Sequence, residues 1–545
     1  MTKAKWTLMV YLAGDNNLTD ECAYSLTEMK RVDTADRINV VAQFDPRGRN
    51  VRTHRYVINR GGSAEEPRAG GAGTNGLVLE DIVAGLPEGT VKFDPDADGS
   101  HVDFAHDAGA PLPSGEVNSG DPKTLFDFIS WSIEKFPAEH YMLVLAGHGG
   151  GTEEDFLLKD ESPRASLTIP QLRRVFERVK NSELGVRIDV LGTDVCLMSM
   201  AEVCYELRGL VGYMVGSEGY SATAGWPYRE ILTRLNDELI KKEKAKTEGK
   251  QGKRPEGENV CPLALAEIVA DEYVNYYAPY VISGLSADQT VLDVDASAEL
   301  ARSVKELTAL LCEELRRAEE EKGKGRPSDF LDQIVLAHWE AQSYNGERFA
   351  DLHDFCDLLA RRYAPRQRAS RQPDDAREKK KDGAREKIEK ACARVKTVIA
   401  ERVAKRCCYT GIDYQYSYGV SVYFPWAAVG EHYQRLDFAR DDVSGWHQFL
   451  ALYTRATRRK PRGWRPSPRG ESENAKGTDG PVLITTGGNN GAELTLDRFR
   501  TGGYRGSELN PVYSMRNPPD GLDKRGACPH VRDARTIADL VSPHG

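Results

Sequence analysis

Two side chains capable of nucleophilic chemistry stand at the ends of similar apolar runs. His148 follows Tyr141-Met-Leu-Val-Leu-Ala-Gly147, and Cys196 closes Arg187-Ile-Asp-Val-Leu-Gly-Thr-Asp-Val-Cys196. A thiol near its free pKa is mostly protonated at neutral pH, and a neighbouring imidazole can take the proton or stabilise the thiolate. Gly149 and Gly150 leave the backbone free to approach a carbonyl, and their N–H groups, that of Gly149 first, are suited to hold an oxyanion. Each residue also has a plainer account on its own: buried cysteines pack, and a histidine after a strand is a loop residue. Their matched placement joins them.

Such a pair needs elements that bring it together. Both runs are short, partly β-branched and stopped by glycine or turn formers, so each reads as a buried strand of a parallel sheet. Between them, Thr168 to Val179 places Leu172, Val175, Phe176 and Val179 on one helical face, with Pro170 in the first turn. A right-handed strand–helix–strand unit sets its strands side by side, and open α/β sheets bind ligands at the carboxyl ends of their strands. Trp6–Gly14, Ile38–Phe44 and Arg52–Ile58 supply further strands before this unit, and Val211–Glu218 follows it. After Cys196, the residues Leu197, Met200, Cys204 and Leu207 repeat at helical spacing, which makes Cys204 a core residue.

At 545 residues the chain is long enough for more than one domain, and 40% hydrophobic content supports a sizeable core. A net charge of −9 argues against a general nucleic-acid or anionic-membrane binder. No apolar run approaches a membrane span. Ten scattered cysteines resemble reduced thiols more than a disulfide framework, and no paired CxxC motif suggests zinc, so no metal site is assigned. The apolar start stops at Asp15-Asn16-Asn17 without a cleavage site and reads as a strand, which together with the thiols leads to the expectation of a cytoplasmic protein. The expected division is residues 1–235 as an α/β core, 236–258 as a charged linker, 259–455 as an α-rich C-terminal subdomain completing the fold, and 456–545 as a disordered tail. Within the third, 299–317, 351–363, 388–403 and 446–453 read as helices and 416–424 as a late strand, while 364–387 is a basic insert.

Several ordered motifs then resemble one family. Leu143-Val-Leu-Ala-Gly-His148-Gly-Gly-Gly151, Asp189-Val-Leu-Gly-Thr-Asp194-Val-Cys196 through Leu207, Val215-Gly-Ser-Glu218 and Gly225-Trp226-Pro227-Tyr228 look like the clostripain family of cysteine peptidases. So do Trp6 to Asn17 and Gly120 to Ile129. The resemblance implies a caspase-like, mostly parallel sheet flanked by helices, a His148–Cys196 dyad, and cleavage after Arg or Lys. Protein and peptide substrates with basic residues are the partners it implies. It also implies an acid near the basic substrate residue. Asp194, two residues before the nucleophile, should open onto the same cleft, because side chains at i and i+2 of a strand end project to one side, and a carboxylate there discriminates for a cationic head group; the plainer reading is a turn-capping aspartate. A second acid is expected after the next strand, yet Gly219 to Ala224 contains none, leaving Glu218 as the nearest candidate. Trp226 and Tyr228 are candidate walls of the pocket.

Residues 152–167 read as an exposed loop, and Lys159 and Arg164 within it are processing candidates, because clostripain-like zymogens cut themselves in this region; an upstream activating protease is the other route. Asp94-Pro-Asp-Ala-Asp-Gly99 matches the opening of a calcium loop but has Ala105 where a carboxylate should close it, so no cofactor is required and calcium stays an alternative. Two other readings remain open: a catalytically silent module that binds a partner through the cleft, and a peptidase of different specificity.

Overall fold

The strand that carries the histidine candidate lies between two parallel neighbours, and that arrangement organises the molecule. In the computed structural model, residues 3–458 are described apart from 35–36, 48–52, 59–109, 112–116, 155, 162–163, 248–259, 325–329, 364–375 and 427–428. The main-sheet strands are Ala4–Gly14 (β1), Ile38–Pro46 (β2), His54–Ile58 (β3), Ala110–Pro111 (β4) and Ala138–Ala146 (β5). Leu157–Asp160 (β6) and Ala165–Leu167 (β7) form a separate hairpin. Ile188–Asp194 (β8), Val211–Gly216 (β9) and Ala287–Asp293 (β10) rejoin the main sheet. Ser343–Tyr344 (β11) and Phe349–Asp351 (β12) belong to a small second sheet, Ala404–Thr410 (β13) to the main one, and Ser421–Tyr423 (β14) to the small one.

The main sheet runs in the order β13-β10-β9-β8-β5-β1-β2-β3-β4. Its five central strands β9, β8, β5, β1 and β2 are mutually parallel, and antiparallel strands close both edges. Helices cover both faces, which is why the central strands are apolar almost without interruption. One face packs Phe128, Leu172, Phe176, Leu307, Leu311 and Phe449 against the sheet; the other packs Leu26, Leu232, Leu235, Val269 and Tyr273. The expected mixed α/β class, a mostly parallel sheet flanked by helices, is the one observed.

The crossover helix Ile169–Asn181 buries Leu172, Val175, Phe176 and Val179 as its spacing requires. Thr168 opens it with a reciprocal capping box: its hydroxyl accepts from the Gln171 N–H at 3.2 Å, and the Gln171 side chain accepts from the Thr168 N–H at 2.8 Å.

The structure differs from the sequence reading in three places that affect the site. Residues 152–167 are not a plain loop: a short helix, Gly151–Glu154, leads into the β6–β7 hairpin, whose Leu157, Leu158 and Leu167 are fully buried. The stretch read as one late strand over 416–424 pairs only at β14, in the small sheet and not the main one. The C-terminal half contributes β10 and β13 to the main sheet, and its helices Ser297–Gly323 and Leu352–Tyr363 share the core of helix Ile169–Asn181. Half of the expected linker is helical, because Tyr228–Thr247 continues into it. The glycine-rich stretch 61–76, the acidic turn 94–99, the first part of the basic insert, and the tail from 459 onward lie outside the described residues.

Candidate active site

The register of β5 against β8 pairs Ala146 with Asp194, so His148 and Cys196 each stand two residues past the same rung. The Gly147 N–H donates to the Asp194 carbonyl at 3.3 Å, tying the two strand ends together. Gly147 has φ 147°, and a Cβ there would stand 3.0 Å from the Ala13 carbonyl oxygen. Only glycine turns the chain out of the sheet there without strain. Gly149 lies against the backbone of the thiol residue, for a Cβ at 149 would be 2.7 Å from the Cys196 carbonyl oxygen.

The turn after β5 is fastened to the hairpin. Leu158 N–H donates to the His148 carbonyl at 2.8 Å, Gly150 N–H donates to the Phe156 carbonyl at 3.1 Å, and Gly149 faces Leu157 between these two bonds. That register consumes the Gly150 N–H and leaves the Gly149 N–H without a partner among the described residues. Of the two glycines, Gly149 retains a donor for an oxyanion.

Cys196 occupies a bend in which Leu197 is held at φ 63° while 98% buried. A leucine in the left-handed region costs on the order of 1 kcal/mol and persists only where the surroundings impose it. Here the Leu197 N–H donates to the Gly219 carbonyl at 3.0 Å, and Met198 and Ser199 both donate to the Ser217 carbonyl. The Cys196 Sγ accepts from the Ser221 N–H at 3.3 Å. Burial pushes the thiol pKa up, the Ser221 N–H opposes this, and Asp194 and Asp288 push it further up. His148 is pushed the other way, chiefly by burial and then by Lys159, with Glu161 opposing. Both shifts favour a neutral thiol and a neutral imidazole at neutral pH. Neither side chain hydrogen-bonds the other, and the His148 Nε2 is 2.7 Å from the Oδ1 of Asn17.

Asp194 ends β8 with only 6% of its surface exposed, and burial raises its pKa to about 6. Its Oδ2 accepts from the Trp226 N–H at 3.0 Å and the Tyr228 hydroxyl at 2.9 Å; its Oδ1 takes no hydrogen bond among the described residues. Past the bend at 195–197, Asp194 meets the 225–228 segment and the Cys196 sulfur meets Ser221, while the Asp194 carboxylate stays near enough to push the Cys196 thiol pKa up.

Glu218 is not placed to meet a substrate. It is fully buried, its Oε2 accepting from the Gly419 N–H at 2.7 Å. Burial, with the Asp351 and Asp288 carboxylates nearby, pushes its pKa well above the ordinary carboxylate range. Trp226 is likewise no exposed wall. The residue is 3% exposed, and its indole packs on the sheet at Gly192, lining a small apolar space with Leu8, Val10, Met142 and Val144. Its backbone N–H is what reaches Asp194. Lys159 lies in β6 with its side chain exposed, and Arg164 sits at the tip of the hairpin at φ 62°. Among the described residues no cluster of three or more His, Cys, Asp or Glu is arranged to hold a metal ion, and no helix is long and apolar enough to cross a membrane.

Sequence reasoning missed two participants. Asn17 was visible only as part of a motif at the end of β1, and nothing local tied it to a histidine 131 residues away. Ser221 reaches the thiol through its backbone, which no residue type announces.

Comparison with known proteins bears on this site. The sequence profile of the clostripain family matches residues 10–368. Clostripain of Hathewaya histolytica is 23% identical over 389 residues, and the match spans 65% of this chain and 65% of that relative. Among solved structures, a secreted C11 cysteine protease from Bacteroides thetaiotaomicron, in complex with an irreversible peptide inhibitor, aligns over 83% of this chain and 99% of its own, at 14% identity and TM-score 0.48. An inactive zymogen C11 protease from Parabacteroides distasonis aligns over 81% and 99%, at 17% identity and TM-score 0.49. The expected cytoplasmic location does not stand: free thiols and the character of the first strand do not determine a compartment, and one of these neighbours is described as a secreted enzyme. With the family profile covering well over half of its length, the chain belongs to the clostripain family.

Proposed function

We propose that the chain is a cysteine endopeptidase that cleaves proteins after Arg or Lys, with Cys196 as nucleophile and His148 as base. The observation that supports this most is the register that sets the two residues level at the carboxyl ends of adjacent parallel strands. The thiol hands its proton to the imidazole as sulfur attacks the scissile carbonyl carbon, and the Gly149 N–H stabilises the oxyanion. The imidazolium then protonates the departing amine, leaving a thioester that water, deprotonated by His148, hydrolyses. None of these steps draws on a metal; activity retained after dialysis against a calcium chelator is the corresponding expectation.

Asp194 is the residue proposed to select the cationic substrate residue. Supporting this, its pKa near 6 leaves it ionised at neutral pH despite burial, and its Oδ1 is uncommitted. The pairing of such a carboxylate with a guanidinium or ammonium group in a desolvated pocket discriminates strongly. The chain is further proposed to be a precursor matured by cleavage after Lys159 or Arg164, by itself or by an upstream protease. The exposed hairpin tip and the half-buried thiol with its raised pKa support that reading.

The test is turnover of matched fluorogenic peptides ending in Arg, Lys or Asp, with wild-type and Cys196→Ala protein, each intact and after brief nicking by an independent protease. Thiol-dependent release after Arg or Lys, absent in Cys196→Ala, is expected. A folded wild-type chain inert in every state would favour a partner-binding module instead.

A further inference from the structure

Asn17 lies just beyond β1, whose register pairs Leu12 with Ala146 and so sets this turn beside the one carrying His148. Its side chain is exposed and supports no core, yet its Oδ1 lies 2.7 Å from the His148 Nε2. An amide oxygen only accepts, so Nε2 must carry the proton and the lone pair of neutral His148 resides on Nδ1. No hydrogen bond occupies Nδ1 among the described residues.

The turn that holds Asn17 is itself rigid. Asn16 is buried; its Nδ2 donates to the carbonyls of Ala13 at 2.9 Å and Lys159 at 2.8 Å, while its Oδ1 accepts from the Leu18 N–H at 2.9 Å. The Glu161 N–H donates to the Asp15 carbonyl at 2.9 Å. The strand β6 that grips this turn also grips His148, through the bond from Leu158 N–H to the His148 carbonyl. Orienter and base therefore share one anchor. An amide in this position fixes a ring without adding the negative charge by which a carboxylate would stabilise the imidazolium.

Resting on the peptidase reading above, we propose that Asn17 is the positioning residue of the dyad: it holds His148 as the Nε2–H tautomer and makes Nδ1 the nitrogen that receives the Cys196 proton. Since the anchor is β6, the same hairpin proposed for processing also controls the orientation of the base.

The experiment uses the full chain in its active form. Asn17→Ala should lower kcat about 10- to 100-fold, the scale of a catalytic group left misoriented, with KM changed less than about twofold and the melting temperature unmoved. Asn17→Asp should restore part of kcat and move the acid limb of the pH profile upward, because a carboxylate raises the imidazole pKa. Independently of turnover, nitrogen-15 spectra of histidine-labelled Cys196→Ala protein, with His148 assigned by difference from a chain that also carries His148→Gln, should show Nε2 protonated, and adding Asn17→Ala should mix the tautomers. Unchanged kcat and pH profile in Asn17→Ala, or a protonated Nδ1 in the Asn17-containing protein, would overturn the proposal. If no peptide is turned over, the peptidase reading fails, and the tautomer still decides the role of Asn17.

Discussion

The backbone N–H of Ser221 donates to the sulfur of Cys196 at 3.3 Å, from a segment held in place by other groups. The Ala222 N–H donates to the Tyr273 hydroxyl at 2.9 Å, and the Tyr220 N–H donates to the Tyr414 hydroxyl at 3.1 Å. The thiol residue is half-buried, and burial holds its pKa above the ordinary range. In the intact chain at neutral pH, Cys196 should therefore react with iodoacetamide more slowly than free cysteine, and faster once the hairpin is nicked. Site-resolved mass spectrometry against time measures both rates; equal rates before and after nicking would count against a precursor.

The acid limb of activity should lie below the usual imidazole range, because burial and Lys159 depress the His148 pKa. Removing the cation with Lys159→Gln should move that limb to higher pH. Glu161→Gln removes the opposing carboxylate and should move it lower. Profiles of kcat/KM, taken after nicking by a protease that does not need Lys159, measure both shifts.

Asp194 is ionised at neutral pH at a cost, which separates a substrate-binding role from a capping one. Its pKa is raised, so the stability it contributes is complete below about pH 4 and is lost as pH rises through about 6. Asp194→Asn should therefore be more stable than wild type at pH 7.5, by on the order of 2–3 kcal/mol from a shift of about two units, and should show no gain at pH 4. Turnover after Arg and Lys should fall at least about 100-fold. Thermal unfolding at the two pH values and peptide kinetics test this; lost stability with unchanged specificity would make Asp194 a cap only.

Gly149→Ala forces a methyl group against the Cys196 carbonyl, 2.7 Å from where its Cβ must lie. The N–H survives but is displaced, and kcat should drop about 100-fold, the scale of a misplacement near 1 Å. Gly150→Ala would meet the Phe156 ring instead. Its N–H is already bonded, so a smaller loss in kcat is expected from the same assay.

Burial pushes the Glu218 carboxyl well above its ordinary range, and raises Asp351 and Asp288 beside it each to about 7. Raised carboxyls stabilise most at low pH and lose that contribution as pH rises through neutrality. Glu218→Gln keeps an acceptor for the Gly419 N–H and offers Asp351 a donor without a titrating proton. It should raise the melting temperature at pH 8 and leave it unchanged at pH 5, with the Arg and Lys preference retained; lost preference would return Glu218 to the substrate site.

The sequence alone determined the strand–helix–strand unit and its two reactive ends. The runs before His148 and Cys196 are apolar on both faces, and Leu172, Val175, Phe176 and Val179 repeat at helical spacing, so strand, helix and parallel pairing follow from local pattern and handedness. It also carried the motifs that resemble the clostripain family. Only the tertiary structure decided which polar groups reach the site. Glu218 and Trp226 sit in the expected neighbourhood by number, yet one is buried against Asp351 and the other against Gly192. Asn17 and the Ser221 N–H enter it from other segments, and β10 and β13 enter the sheet from beyond an inserted helix and linker. Periodicity records which face of an element is buried, because burial repeats along the chain. It holds no record of which distant hydrogen-bonding group lies across the gap, and that depends on how the segments pack.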